Sequence, residues 1–221
     1  MLNPVTLHGS IIVLEPMKIE HSDQLYEAAS EDRATYSYTN VPNGREEVKR
    51  YINSALNAYS KGGELPFVVR HIETGRIVGT TRFLALEVFS WPPPWPPGVG
   101  TGPLPTDKNP PTVAEIGSTW YSASSQRTGV NTECKLLMLS YAFDFWHTIR
   151  VTLKTDARNM RSRSAIQRIG ATFEGIRRAH VPANDGSIRD TAYYSIVDEE
   201  WPTVRKKLQD RFQQGIDKKK G

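Results

Sequence analysis

Cysteine is almost absent from this chain of 221 residues, and Cys134 is the only one. A single cysteine excludes an intramolecular disulfide and the cysteine–histidine sets that hold structural zinc. The histidines show no ligand spacing, so we predict no metal site. Cys134 itself lies on an apolar helical stripe, a position that indicates a buried structural residue rather than a nucleophile.

Long hydrophobic runs are also lacking. No apolar run is long enough for a transmembrane helix, so we predict no membrane partner. The first ten residues have neither the charged nor the apolar region of a signal peptide, so we expect a cytoplasmic protein. Hydrophobic residues make up 38% and charged residues 24%, a balance typical of a globular chain. The length fits a single domain over residues 1–221.

Strand and helix patterns alternate along the chain, which indicates a mixed α/β fold with one sheet and helices on both faces. Two hairpin-like strand pairs argue against an all-parallel sheet. Gly170 is expected to end a helix as a left-handed cap. The predicted strands are 11–14, 66–72, 76–84, 113–121, 150–155, 171–177 and 191–197. The predicted helices are 19–31, 46–59, 129–146, 159–169 and 199–212.

Proline is concentrated in one segment. Residues 90–111 contain nine of the fifteen prolines. Because proline cannot donate to a strand ladder, we predict an inserted loop there. Trp91 and Trp95 would offer apolar surface to a substrate or a second subunit. An exposed insertion without a role is the alternative. Residues 214–221 form a basic tail.

Positive charge is concentrated as well. The net charge is +4, and residues 150–178 contain eight basic residues against two acidic ones. Such a window attracts polyanions, whether nucleic acid, an acidic protein or the phosphates of a nucleotide cofactor. Phe173 is its only aromatic residue, whereas a nucleic-acid face needs several. We therefore expect no nucleic-acid partner.

Residues 124–132 join a predicted strand to a predicted helix through small polar side chains and Gly129. Backbone N–H groups at such a junction, together with the helix dipole, form a cradle for an anion. The segment is not a P-loop, because no lysine follows the glycine, and it is not a dinucleotide fingerprint, because Gly129 stands alone. A plain helix cap is the alternative.

Three motifs in the second half of the chain resemble those of the GNAT acetyltransferase superfamily. Residues 126–131, Q-R-T-G-V-N, resemble its Q/R-x-x-G-x-G/A acetyl-CoA motif, although Asn131 replaces the small last residue. The patterns D-x-x-N-x-x-S at 156–162 and R-D-x-x-x-Y-S at 189–195 resemble blocks of its RimJ/RimL-like branch, the ribosomal-protein N-terminal acetyltransferases and their relatives.

The resemblance implies a single GNAT-type domain with a mostly antiparallel, twisted sheet that is splayed between strands 113–121 and 150–155. Acetyl-CoA would be the co-substrate, with its pantetheine arm between these strands and its pyrophosphate on the N–H groups of 127–132. Gly129 would allow close approach of the backbone, and the basic window 150–178 would assist. The residues implied in acetyl-CoA binding are Trp120, Tyr121, Gln126, Arg127, Thr128, Gly129, Val130, Asn131, Thr132, Asn159 and Ser162.

Acetyl transfer to an amine needs a proton acceptor, a polarised thioester carbonyl and a proton for the departing thiolate. Glu115 is our first candidate base and Asp190 the second. A surface acid and an arginine ion pair are the respective alternatives. Ser162 is the candidate proton donor, with a backbone-bonding serine as the alternative. Backbone N–H groups near Trp120 and Tyr121 would polarise the carbonyl.

The implied function is an N-acetyltransferase that moves acetyl from acetyl-CoA to a primary amine by direct transfer in a ternary complex. The amine would belong to a small molecule or a protein N-terminus. A non-catalytic CoA-binding module and an acyltransferase that uses a different acyl-CoA are the alternatives. We expect a monomer or homodimer without a metal. The base of the insert 90–111 is expected beside the thioester, on the acceptor side.

Overall fold

Eight strands form one sheet in the computed structural model, which describes residues 1–92 and 102–220. The strands are β1 (Leu7–His8), β2 (Ile12–Pro16), β3 (Leu65–His71), β4 (Ile77–Glu87), β5 (Val113–Tyr121), β6 (Arg150–Asp156), β7 (Thr172–Pro182) and β8 (Ile188–Val197). Their spatial order is β1-β2-β3-β4-β5-β6-β8-β7. Every neighbouring pair is antiparallel except β5 with β6.

Helices cover both faces of this sheet. They are α1 (Ser22–Ser30), α2 (Arg45–Ser60), α3 (Val130–Ser140), α4 (Met160–Arg168) and α5 (Trp201–Lys220). On one face, called the α1–α2 face, these two helices pack over Val68 and Trp120. On the opposite α3–α5 face, the other three pack over Leu153 and Tyr194. Because side chains alternate along a strand, Lys154 lies on the α1–α2 face. The predicted fold class is confirmed.

Most predicted elements are confirmed in place and type. β5 coincides with the predicted strand 113–121, and Gly170 has a φ of +97° just after α4. The helix predicted over 129–146 is π-helical in its last part, Tyr141–Phe145. The β7–β8 hairpin is longer than predicted. Most β7 side chains are exposed, so its sequence lacks the hydrophobic pattern that marks a strand.

The described part of the proline-rich insert lies at the start of β5. Residues 93–101, with Trp95, fall outside the described residues. Asp107 accepts a hydrogen bond from the backbone N–H of Asn3 (3.0 Å). The insert leads into the first residue of β5, whereas the loop before α3 follows the last one, Tyr121. The base of the insert therefore lies at the end of β5 that holds Glu115, opposite to the end that leads into that loop, and its position beside the thioester stays a prediction.

Glu133 fastens α3 to the turn between β1 and β2. The residue is only 3% exposed. Its carboxylate accepts hydrogen bonds from the backbone N–H groups of Ser10 (2.6 Å), Ile11 (2.9 Å) and Ile12 (2.9 Å), and from the Ser10 hydroxyl (2.6 Å). Gly9 leaves room for it, because a Cβ there would lie 2.5 Å from the carboxyl carbon. The start of α3 is thus held to the sheet by a buried carboxylate.

We expect Glu133→Gln to lower the free energy of unfolding by about 3 kcal/mol, since the amide turns an N–H toward backbone donors and removes the charge. Urea denaturation measures the loss. The control is Glu73→Gln, in the exposed β3–β4 turn, which should change the value by less than about 0.5 kcal/mol. An equally small effect of Glu133→Gln would show that this anchor contributes little.

Candidate functional site

β5 and β6 separate after a short paired stretch. Their parallel pairing joins Val113 to Arg150, Ala114 to Val151 and Glu115 to Thr152. Beyond that point β5 stays paired with β4, and β6 stays paired with β8, while the described chain shows no further pairing between β5 and β6. The predicted splay is confirmed. The gap between the two diverging strands is called the wedge. Residues 116–121 of β5 form one side of it and are called the open edge of β5.

A β-bulge distorts the open edge. Arg82 opposes Gly117 and Thr80 opposes Trp120, so β5 holds one residue more than β4 over this stretch. Ser118 lies inside the bulge with a φ of +47°, in the left-handed region that non-glycine residues seldom occupy. Because a bulge bends its strand and increases its twist, it directs β5 away from β6.

The predicted anion cradle lies at the start of α3. Thr128 Oγ1 donates to the Ser125 carbonyl (2.7 Å) and accepts from the Val130 N–H (3.2 Å), which fixes the turn before the helix. The N–H groups of Asn131 and Thr132 belong to the first helical turn, where N–H groups have no partner inside the helix. Together with the positive end of the helix dipole, they provide the geometry for an anion.

Gly129 is required by packing. A Cβ at this position would lie 3.0 Å from Ile11 Cδ1 and 3.1 Å from Phe212 Cε2. The glycine therefore lets α3 pack closely against α5 and the segment before β2, and the close approach of a phosphate stays a prediction. The exposed Arg127, with a φ of +61°, turns the chain into the helix.

Gln126 connects the elements that meet at the mouth of the wedge. Its Nε2 donates to the Tyr121 carbonyl at the end of β5 (3.0 Å) and to Thr35 Oγ1 (3.1 Å). Its Oε1 accepts a hydrogen bond from Arg161 of α4. The side chain thus ties the loop before α3 to the start of α4, and it brings one basic residue to the wedge.

A side-chain cap begins α4. Asn159 Oδ1 accepts a hydrogen bond from the Ser162 N–H (3.0 Å), so Asn159 is the N-cap of the helix. Both residues are half-buried. Arg161, between them in sequence, reaches Gln126, so the two motifs that are distant in sequence meet at the wedge.

Glu115 lies where the wedge opens. It occupies the last paired position of β5, is 6% exposed, and places Oε2 2.9 Å from Lys154 Nζ. The pair lies on the α1–α2 face, opposite to the starts of α3 and α4. A Cβ on Gly117 would lie 3.0 Å from Glu115 Oε1, so the glycine leaves room beside the carboxylate. With one lysine partner, the carboxylate keeps lone pairs for a further donor.

Asp190, the second candidate base, lies in β8 and is hydrogen-bonded to β7. It is exposed, and its Oδ1 accepts a hydrogen bond from the Ala179 N–H (2.7 Å), where Ala179 has a φ of +46° in β7. The alternative role, an ion pair with an arginine, is not seen among the described residues, and Arg189 Nε donates to Thr191 Oγ1 (3.0 Å). Asp190 therefore shapes the β7–β8 hairpin.

The basic window 150–178 is not one positive field. Three of its members form ion pairs: Arg150 with Glu174, Lys154 with Glu115, and Arg158 with Asp156 and Asp185. Hydrogen bonds from Ser187 and Arg158 lower the pKa of Asp185 to about 2. Arg150 and Lys154 also lie on the α1–α2 face. Much of the window's charge is thus paired within the protein, Arg161 lies at the wedge, and the assistance of the window to a cofactor stays a prediction.

Sequence reasoning missed a buried lysine beside the open edge. Lys135 of α3 is 5% exposed, its Nζ donates to Thr119 Oγ1 (2.8 Å), and burial lowers its pKa. The available signal was a lysine inside an apolar helix, next to the stripe of Cys134. That cysteine is fully buried, as predicted, and burial raises the pKa of its thiol.

No helix within residues 1–92 and 102–220 combines the length and apolarity needed to cross a bilayer. No group of three or more histidine, cysteine, aspartate or glutamate side chains is arranged there to hold a metal ion.

Comparison with known proteins identifies similar domains. The acetyltransferase (GNAT) domain family matches residues 12–172. A GCN5-related N-acetyltransferase from Brucella melitensis is 26% identical with a TM-score of 0.77, over 95% of this chain and 86% of that one. RimJ from Mycobacterium smegmatis, in complex with CoA-disulfide, is 17% identical with a TM-score of 0.71, over 95% and 93% of the two chains. The ribosomal alpha-N-protein acetyltransferase RimL is 18% identical with a TM-score of 0.68, over 88% and 94%. No curated protein matches the chain.

If the first turn of α3 holds the pyrophosphate of acetyl-CoA, removing one of its N–H groups weakens binding. Asn131→Pro removes an N–H without breaking an intrahelical bond, whereas Asn131→Ala keeps it. At 100 times its Kd, acetyl-CoA should raise the Tm of the wild type and of Asn131→Ala by roughly 5–10 °C. Asn131→Pro should show a clearly smaller rise by calorimetry. Equal rises in the two variants would contradict the cradle.

Proposed function

Because the chain belongs to the GNAT acetyltransferase family and is an acetyl-CoA-dependent N-acetyltransferase, we propose that it transfers acetyl directly to a primary amine within a ternary complex. The amine belongs to a small molecule or a protein N-terminus. One observation carries the proposal: the wedge joins the starts of α3 and α4 on one face of the sheet to the buried Glu115 on the other. A thioester in the wedge can therefore meet an amine that arrives from the α1–α2 face.

In this proposal, acetyl-CoA is held more by backbone than by side chains. The backbone of the open edge of β5 forms hydrogen bonds with the pantetheine arm, and the N–H groups at the start of α3 donate hydrogen bonds to the pyrophosphate. Arg161 adds a positive charge. The Tyr121 carbonyl already accepts hydrogen bonds from Tyr36 (3.0 Å) and Gln126 (3.0 Å). N–H groups near Trp120 and Tyr121 polarise the thioester carbonyl in this proposal.

Two side chains move protons in the proposed reaction. Glu115 accepts the proton of the attacking amine, directly or through a water, while Lys154 orients the carboxylate from 2.9 Å. The new C–N bond forms as the C–S bond breaks. Ser162 Oγ relays a proton from water to the departing thiolate, giving up its own proton as it takes up the new one, and Asn159 positions this serine through its capping hydrogen bond.

Glu115→Gln should lower kcat by a factor on the order of 100 to 10,000, because the amide cannot accept the amine proton. The Kd for acetyl-CoA should change little, since the side chain lies on the other face of the sheet. Thiol release from acetyl-CoA measures the rate, and calorimetry measures the Kd. A rise in pH should restore part of the rate, because it supplies the neutral amine without the base.

Glu174→Gln is the matched control for this substitution. Glu174 is a more exposed carboxylate that pairs with Arg150 (2.8 Å), much as Glu115 pairs with Lys154. The control should keep the wild-type kcat. Wild-type turnover in Glu115→Gln would contradict a base at this position, and equal losses in both variants would indicate a general effect of charge.

A further inference from the structure

A groove opens on the α1–α2 face beside the wedge. It has a volume of about 390 Å³ and lies between α2 and the strands β4 and β5. Its lining includes Asn40, Arg50, Tyr51, Ser54, Arg82 and Ser118. We call it the Arg82 groove. Since Ser118 is the left-handed residue of the bulge, the groove reaches the open edge of β5 from the side on which Glu115 lies.

Arg82 is the buried cation of this groove. Its side chain is 7% exposed, and its Nη1 donates to Glu64 Oε2 (2.9 Å). The guanidinium stacks on the Tyr51 ring, 4.3 Å from the centroid, and the Tyr51 hydroxyl is hydrogen-bonded to Thr80 Oγ1 (2.8 Å). Arg82 Nε is buried without a hydrogen-bond partner among the described residues. A buried donor on a charged group is costly to leave unpaired, which points to an acceptor supplied by a ligand.

Glu64 engages Nη1 of the guanidinium, which leaves Nε and Nη2 without an acceptor among the described residues. Because Nε is buried, a ligand bonds to the edge formed by Nε and Nη2 only when the neighbouring side chains shift. That edge matches the two oxygens of a carboxylate. Arg50 and Glu47 both line the rim, lie 4.0 Å apart and offset each other's charge. The unpaired part of the Arg82 guanidinium is therefore what favours a planar anion.

We propose that the Arg82 groove binds a carboxylate of the acceptor, so that the enzyme acetylates primary amines that also carry a carboxylate. This inference rests on the proposed function. Arg82 opposes Gly117, two residues beyond Glu115 on β5. Diagonal neighbours across an antiparallel pair lie about 7–8 Å apart. An amine at Glu115 and a carboxylate at Arg82 thus fit within one small molecule or one N-terminal residue.

The test uses acceptor pairs that differ in one carboxylate: alanine against alaninamide, and the peptide amides Glu-Ala-Ala against Gln-Ala-Ala. Calorimetry is performed with CoA bound, so that no reaction occurs. In at least one pair, the carboxylate member should bind the wild type more tightly by a factor on the order of ten or more.

Substitutions test whether the preference for the carboxylate members arises in the groove. Arg82→Gln should abolish it, and Arg82→Lys, which keeps a cation beside Glu64 but loses the fork, should reduce it. Arg70→Gln is the control, because it removes a comparable pair, Arg70 with Glu15 (2.7 Å), outside the groove. The control should leave the preference intact.

If the wild type binds the two members of each pair equally, the inference is overturned. This result does not depend on whether the variants fold. A preference that persists in Arg82→Gln also overturns it, because the carboxylate would then bind elsewhere. Thiol release from acetyl-CoA is measured in parallel. If the carboxylate members bind preferentially but neither member of a pair is acetylated, the groove assignment stands and the proposed function is contradicted instead.

Discussion

The point at which β5 stops pairing with β6 determines the rest of this site. Parallel pairing ends at Glu115, yet β5 continues along β4 and β6 continues along β8, so the sheet tolerates the gap. The bulge at Ser118 bends β5 away and exposes backbone groups that must find hydrogen bonds outside the sheet. The gap therefore belongs to the fold itself, and it offers main-chain partners to an extended substrate.

The gap is useful only because the helix starts on either side of it are held in place. Glu133 fastens α3 to the turn before β2, Gly129 allows α3 to contact Phe212, and Gln126 reaches across to Arg161. Acetyl-CoA would meet groups that are already arranged, which lowers the entropic cost of binding. In the proposed reaction the acceptor would meet Glu115 on the other face, so the two substrates would approach from opposite sides of the sheet.

The sequence predicted the secondary-structure elements and the positions of the motifs better than it predicted which side chains pair with one another. Alternation of apolar residues located β5, and motif spacing located the starts of α3 and α4. Charge pairing depends on contacts distant in sequence, such as that of Arg158, just after β6, with Asp185 in the β7–β8 turn, so the ion pairs within the basic window were not foreseen. Arg82 is an ordinary arginine in a strand pattern. Its burial under Tyr51 follows from how α2 packs on the sheet, which no local pattern encodes.

Hydrogen–deuterium exchange with and without acetyl-CoA tests the role of the gap most directly. The segment 113–115 is paired with strands on both sides, whereas 116–121 has a strand partner on one side only. If the gap receives the pantetheine arm, saturating acetyl-CoA will slow exchange in 116–121 and 127–132 and leave 113–115 unchanged. Binding of acetyl-CoA that leaves exchange in 116–121 unchanged would contradict this account.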